Sequence, residues 1–312
     1  MTDIIAFGEI LIDFTEEGKD CEGFPSLSSH IGGAPLNFLT AATKKGAKCA
    51  LISKVGDDAF GKLLLKAAER RGIDVQGVIM DKNAFTTLAF VTHDETGDRD
   101  FSFARKPGAD TLIETEEVKK ILPLFDNAKI FHFGTLSLTD EPSKSATKFL
   151  VEEAKKRRMI ISFDPNYRAP LWKSEEDAKK AMLWGLEQAD IVKIADNEVN
   201  FLFDLSPFEG AEIITSKFGA KLCAVTMGPN GAFLMSGHER VLMPAPKVNV
   251  VDTTGAGDIF GGTMVPSLIL CDNFDYDAFL GGFKPLSREI LLAIGGEAVN
   301  AASASTERVG GA

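Results

Sequence analysis

Short β-branched runs alternating with amphipathic stretches constrain this chain more than any other feature. Residues 4–7, 50–55, 130–133, 159–163, 191–194 and 222–227 read as strands, and several are apolar at every position. A strand with no polar face must be covered on both sides, as parallel strands between helices are. Helix signals fill the gaps. Pro35 suits a first helical turn, Leu36, Leu39 and Ala42 share one face, Lys44 and Lys45 close the last turn, and Gly46 stops it. The stretch 58–71 opens on acids and ends on Arg70 and Arg71, which matches the helix dipole at both ends. Further helices are expected at 142–158, 175–189, 257–270 and 288–305. The class is therefore α/β, and 312 residues suit one large domain or two smaller ones.

One region breaks this rhythm. Residues 86–92 and 100–104 are strand-like, and His93 to Arg99 between them reads as a turn. With no helix intervening, the pair predicts an antiparallel hairpin outside the parallel core. Together with 13–14 and 27–31 it forms a small sheet. That sheet is either a lid, an oligomer surface or an edge without a role.

Net charge is −11, so the chain lacks the basic footprint needed to grip nucleic acid or anionic lipid. An anionic ligand must be held by backbone N–H groups, a few Arg or Lys, or metal ions. Cys21, Cys49, Cys223 and Cys271 are scattered with no C-x-x-C pair, which indicates neither a zinc knuckle nor a disulfide framework. Cys223, inside an apolar run, reads as a small buried hydrophobe. Asp3, Glu9 and Asp13 interrupt the N-terminal apolar stretch. The uncharged apolar-looking run 259–271 carries two Gly and a Pro and is shorter than the ~18 residues of a membrane span. The expected compartment is the cytoplasm.

Three glycine-rich segments compete as phosphate sites. Gly56 to Leu63 has Gly-x4-Gly-Lys spacing, but Leu63 stands where a Mg²⁺-binding hydroxyl is needed and two carboxylates lie inside the loop. It reads as an ordinary strand-to-helix turn. Gly32-Gly33-Ala34-Pro35-Leu36-Asn37 allows close approach to the backbone, with Asn37 in the first helical turn. The third is Asp252-Thr253-Thr254-Gly255-Ala256-Gly257-Asp258, preceded by a strand-like 248–251 and followed by a helix. Gly255, Ala256 and Gly257 can turn N–H groups toward one point as an anion hole. Asp258 stands where a static pyrophosphate would have to sit. A carboxylate there suits phosphoryl transfer instead, in which an alcohol loses its proton as charge builds on the transferring group. The alternative is an Asp that merely caps a buried helix.

At these residues the sequence resembles the ribokinase-like (PfkB) carbohydrate kinases, and among them the bacterial fructokinases. The early Gly32–Asn37 and Lys54–Gly61 segments and the late Asp252–Asp258 segment match in order. Between them lie Asp164-Pro165-Asn166-Tyr167-Arg168, Lys193 to Glu198, and Thr226-Met227-Gly228-Pro229-Asn230-Gly231. The match runs nearly the whole chain. It implies a single domain over 1–312, a three-layer α/β/α sandwich with a mostly parallel central sheet, and a small β-sheet lid from about 12–31 and 85–106. The implied reaction moves the γ-phosphate of ATP, with Mg²⁺, to a hydroxyl of fructose. A 2-keto-3-deoxygluconate kinase is the alternative, and a sugar-binding regulator on the same fold is the non-enzyme alternative.

The resemblance assigns Asp258 as base, with Gly255, Ala256 and Gly257 as the anion hole. Asp13, Gly32, Gly33, Asn37, Arg105 and Arg168 are the expected sugar-side residues. Lys193, Thr226, Gly228, Gly231 and Asn300 are expected on the nucleotide side. Asp252 and the Thr254 carbonyl resemble a monovalent-cation (K⁺) site, and Glu198 a Mg²⁺ organiser. Asn200 stands where relatives carry a second Glu, and relatives usually continue beyond the final glycine pair. A homodimer through the lid is expected. His30, His93, His132 and His238 show no metal spacing, and His132 reads as a satisfied core residue. The 23 Phe residues read as core and dry-lid packing, and the acidic clusters 114–117 and 175–177 as solvated helix starts.

Overall fold

The computed structural model describes residues 2–93, 99–282 and 284–310. The first part of the chain runs β1 (Ile4–Phe7), β2 (Leu11–Lys19), β3 (Pro25–Gly32), α1 (Ala34–Lys44), β4 (Cys49–Gly56), α2 (Ala59–Arg70), β5 (Ile73–Asp81), β6 (Leu88–His93) and β7 (Arg99–Ala104). Next come α3 (Thr115–Lys119), β8 (Ile130–Gly134), α4 (Ser143–Lys156), β9 (Ile160–Asp164), α5 (Glu175–Gln188), β10 (Ile191–Ala195), α6 (Asp196–Phe203), α7 (Pro207–Ser216) and β11 (Leu222–Thr226). The last part holds β12 (Ala232–Ser236), β13 (Glu239–Met243), α8 (Ala256–Ile269), α9 (Tyr276–Gly281) and α10 (Arg288–Ser305).

Nine strands form the main sheet in the order β13-β12-β11-β10-β9-β8-β1-β4-β5. All neighbours pair in parallel except β11–β12 and β12–β13, which are antiparallel. The apolar runs are covered on both faces, as expected. In β1, Ile4 and Ala6 enter a core with α1, α8 and α10, while Ile5 and Phe7 enter a second core with α4, α5 and α7. Alternation along one strand thus feeds two cores, which makes the arrangement three layers deep.

The hairpin region forms a separate four-stranded sheet in the order β3-β2-β6-β7. Strands β6 and β7 pair antiparallel, whereas β2 and β6 pair in parallel. Phe14 of β2 stacks on Phe90 of β6 at 5.4 Å and meets Phe60 of α2 edge-on at 5.8 Å, which fastens this sheet to the main body. Of the expected turn from His93 to Arg99, the two end residues belong to β6 and β7, and 94–98 lie outside the described residues.

Several expectations need correction. Residues 248–251 form no strand: Pro244 and Pro246 precede a largely exposed run, and the N–H groups of Val251 and the buried Asp252 donate to the Thr306 carbonyl. Strands β5 and β13, at the two edges, and β12 were not foreseen, nor were α6, α7 and α9, whereas α3 starts at the 114–117 acid cluster as expected. The acid cluster at 114–117 does more than start a helix. Glu117 and Asp81 hold the buried Lys54 ammonium at 2.9 and 3.0 Å. The Gly56–Gly61 turn is the helix start expected, with Asp58 capping α2 by accepting from the Gly61 N–H at 2.8 Å. His132 is a neutral core residue. It stacks on Phe38 at 3.7 Å, bonds to Ser162 at 3.0 Å, and burial holds its pKa down at about 3. Burial also pushes the Cys223 thiol far up, as for an inert hydrophobe.

Candidate active site

Gly255 adopts φ 75°, a left-handed conformation that glycine tolerates, and it is the N-cap of α8. Asp258 is therefore the third helical residue and not the cap. Its carboxylate is buried and turned to other segments: Oδ2 accepts from Asn37 Nδ2 at 2.9 Å, and Oδ1 accepts from Asn166 Nδ2 at 3.4 Å. Asn37 sits on α1, and Asn166 follows β9 in a left-handed conformation with φ 46°. The site is thus built where α1, α8 and the end of β9 converge. The amide oxygen of Asn37, Oδ1, is buried and has no partner among the described residues, so it is available as an acceptor. The Ala256 N–H donates to the Thr253 carbonyl at 3.3 Å. The N–H groups of Gly255 and Gly257 find no backbone acceptor among the described residues, as at any helix N-terminus. An anion bound at this helix terminus would therefore meet these two more than Ala256.

Beside the α8 N-terminus lies a buried cluster. Lys193 of β10 donates to both Asp164 oxygens, at 3.2 and 3.0 Å. Asp164 ends β9, one step beyond the Phe163–Val192 pair, so sheet register sets the contact. Burial works to discharge Lys193, but Asp164, Glu198 and Asp258 together outweigh it and hold its pKa above the usual lysine value. A Cβ at Gly257 would lie 2.7 Å from the Lys193 ammonium, so glycine there lets the charge approach the α8 terminus. Burial, reinforced by Asp164, pushes Asp258 up to about 6, against the pull of Asn37, Lys193 and Arg168. Asp13 is also pushed up to about 6, chiefly by burial. It feels the charges of Arg168, Asp258 and Asp252, so all three lie within electrostatic range of Asp13. A Cβ at Gly32 would meet the Asp13 carboxylate, and Gly33 takes φ 106° with the Glu9 backbone packed against it. The glycine pair therefore makes room for Asp13 and turns the chain into α1.

Residues 1–273 match the pfkB family of carbohydrate kinases. A probable fructokinase-2 from Arabidopsis thaliana is 38% identical over 269 residues, covering 85% of this chain and 81% of that protein. The chain belongs to the pfkB family of carbohydrate kinases. Among solved structures, a fructokinase from Xylella fastidiosa with bound ATP superposes with a TM-score of 0.87 at 28% identity, over 100% of this chain and 94% of that one. A Vibrio cholerae fructokinase double mutant with fructose, ADP and potassium ion bound gives 0.85 at 25% identity, over the same shares.

The remaining expected residues of this kinase fall in distinct places. Arg168 lies within electrostatic range of Asp13 and Asp258, while one of its N–H groups is bonded to the Tyr167 carbonyl. The Arg105 guanidinium is buried and donates to Asp110 at 2.8 Å, to Thr139 at 2.9 Å and to the Leu136 carbonyl at 2.8 Å. It braces the end of β7 against the main body. Arg105→Lys removes the planar fork and should lower stability by about 1–3 kcal/mol, with little change in sugar KM. A large KM increase at unchanged stability would restore the substrate role.

Thr226, Gly228 and Gly231 lie together at the β11–β12 connection. Gly228 and Gly231 have φ of 52° and 90°, and a Cβ at Gly231 would strike the Met243 carbonyl. Asn300 is exposed on α10, which packs against β12 and β13. Asp252 uses its carboxylate to fold its own loop, accepting from the Thr254 N–H at 2.8 Å and the Gly310 N–H at 3.0 Å. Glu198 is buried and accepts from the Tyr167 and Ala195 N–H groups at 2.7 and 2.8 Å. It therefore ties the Asn166–Arg168 loop to α6. Asn200 is exposed. No group of three or more His, Cys, Asp or Glu side chains among the described residues could cage a metal.

Three site residues escaped the sequence reading. Asp164 and Asn166 were visible only as parts of the Asp164–Arg168 motif, with no role attached. Glu9 is buried, pushed up to about 7 chiefly by burial, and accepts from the Ala34 N–H at 2.9 Å. It thereby caps α1, a task Gly33 cannot perform.

Proposed function

We propose that this kinase transfers the γ-phosphoryl group of ATP to a hydroxyl of fructose, giving fructose 6-phosphate and ADP. The observation that carries the reading is Asp258, a buried carboxylate aimed by two amide donors at the N-terminus of α8. Asp13 and the free oxygen of Asn37 receive and orient sugar hydroxyls. As the reacting hydroxyl oxygen bonds to the γ-phosphorus, Asp258 takes its proton and the bond to the ADP oxygen breaks. The transition state of such a transfer is loose, so aiming the hydroxyl counts for more than a strong base. Charge building on the transferring oxygens meets the Gly255 and Gly257 N–H groups, with Lys193 behind them. Thr226, Gly228 and Gly231 hold the nucleotide, with Asn300 at its base. Mg²⁺ bound to ATP supplies charge neutralisation, and Glu198 helps organise it. A monovalent cation such as K⁺, when bound, would be held by the Thr254 carbonyl with Asp252 as counter-charge.

Fructose ranks above a keto-deoxy acid because Arg105, one of two guanidiniums available for a carboxylate, is taken by Asp110. The fructokinase relatives and the fructose–ADP complex of the Vibrio cholerae protein support the same ranking. ADP release with ATP, Mg²⁺ and each sugar tests it. Higher kcat/KM for fructose is expected. Preference for 2-keto-3-deoxygluconate, or sugar binding without ADP release, would contradict it.

No helix among the described residues is long and apolar enough to cross a membrane. The working unit of this reading is a homodimer through the small sheet, where Phe24 and Leu27 are exposed. Sedimentation should give twice the chain mass, and a monomer at assay concentration would refute it.

A further inference from the structure

Outside the catalytic cleft, a cavity of about 280 Å³ opens between α4, α5 and the segment before α5. Its lining is basic in a chain that is otherwise acidic. Lys144, Lys148, Lys173 and Lys180 contribute, against a single lining carboxylate, Asp177. Two of these lysines have surface partners: Lys173 lies 3.7 Å from Asp140 and Lys180 lies 2.7 Å from Glu176. Lys144 and Lys148 make no ion pair with the described residues, although Lys148 lies over the Trp184 ring at 5.6 Å. A concave surface with one sign of charge and low-dielectric walls concentrates ions of the opposite sign.

The walls are apolar and aromatic. Trp172 and Trp184 line the cavity. The Trp172 indole N–H is buried and has no hydrogen-bond partner among the described residues. A buried donor left unpaired is costly, so a native chain that keeps one invites an acceptor. None of Asp13, Asn37, Asn166, Lys193 and Asp258 lines this cavity.

From this combination we infer that the cavity is a second binding site, for a small phosphorylated sugar. The phosphate dianion meets the Lys144 and Lys148 ammoniums, an oxygen of the ligand accepts from the Trp172 N–H, and the sugar ring packs on the apolar wall. The volume lies at the lower edge of ligand pockets, roughly 300–1,000 Å³, which favours a compact monosaccharide phosphate over a nucleotide. The site adjoins the brace of the small sheet, because its lining residue Thr139 accepts from Arg105.

The chain has only two tryptophans, and both line this cavity. Intrinsic tryptophan emission is therefore a local reporter that needs no label. Titration of the full chain with fructose 6-phosphate should give a saturable change in emission, while fructose and inorganic phosphate give much weaker responses. Paired Lys144→Ala and Lys148→Ala substitutions should weaken that binding about tenfold or more, the effect of losing charge-assisted contacts. Trp172→Phe should weaken it too, with Trp184 still reporting. In all these variants kcat measured at initial rate should stay at the wild-type value. Equal saturation by inorganic phosphate or by fructose alone, or unchanged affinity in the lysine double variant, overturns the proposal. The readout is binding, so it stands or falls independently of the sugar that the catalytic site phosphorylates.

Discussion

Asp258→Asn should lower kcat by about 10²–10⁴-fold while leaving sugar and ATP binding largely intact. The amide keeps the size and the place of the carboxylate but cannot accept the hydroxyl proton. Asn37 and Asn166 both donate to this side chain, so one of the two must turn its amide or lose a bond in the variant. The loss should appear in kcat and kcat/KM together, because the lost interaction belongs to the transition state. The wild-type enzyme carries a matching pH signature. Asp258 and Asp13 are each held near 6, and only the ionised form of Asp258 can act as a base. Activity should therefore be full above this range and fall as pH drops through about 6, with a limb that belongs to the interacting pair. Stability runs the other way. Both groups have folded pKa values above their unfolded ones, so their contribution to stability is greatest below the unfolded values and is lost as pH rises through about 6. Wild-type turnover in Asp258→Asn would remove the base from the mechanism.

The second large effect concerns the cluster under the anion hole. Lys193→Met leaves Asp164, Glu198 and Asp258 buried without their common cation. Removing one partner of a buried pair costs about 3–5 kcal/mol, because the remaining charge is stranded. Urea unfolding should show a loss of that size. The acid limb of kcat should also move to higher pH, since Lys193 is among the groups that pull Asp258 down. A purely structural lysine would change stability and leave the limb in place. Stability and limb both unmoved would mean that the Lys193–Asp164 contact is incidental.

Residues that carry chemistry by type and spacing were legible in the sequence, whereas contacts set by tertiary register were not. The Gly255–Asp258 loop announces a helix start with a carboxylate in its first turn, and the Gly32-Gly33 pair announces a close turn ahead of Asn37. Apolar runs such as 130–133 read as buried strands because both faces are covered. Edge strand β5 has a half-exposed, mixed pattern with Gly77 inside it, so it gives no such signal. Strand β12 is fully buried but directly follows Gly231, within a segment already read as a nucleotide loop. The Lys193–Asp164 pair depends on β9 and β10 lying side by side, and composition does not encode that. Arg105 misled for a related reason. An arginine near a motif looks like a ligand contact until its partner Asp110, five residues on, is seen to be buried beside it. The backbone run 248–251 misled through its β-branched valines, since the prolines upstream and the Thr306 contact at its end keep it out of the sheet.

A crystal structure with fructose and a non-hydrolysable ATP analogue tests the central claim most directly, through one distance. A sugar hydroxyl should lie about 2.6–3.2 Å from an Asp258 carboxylate oxygen, on the side facing the α8 N-terminus. If the sugar binds with every hydroxyl beyond reach of Asp258, and with the γ-phosphate away from the Gly255 and Gly257 N–H groups, the mechanism described for this kinase is wrong.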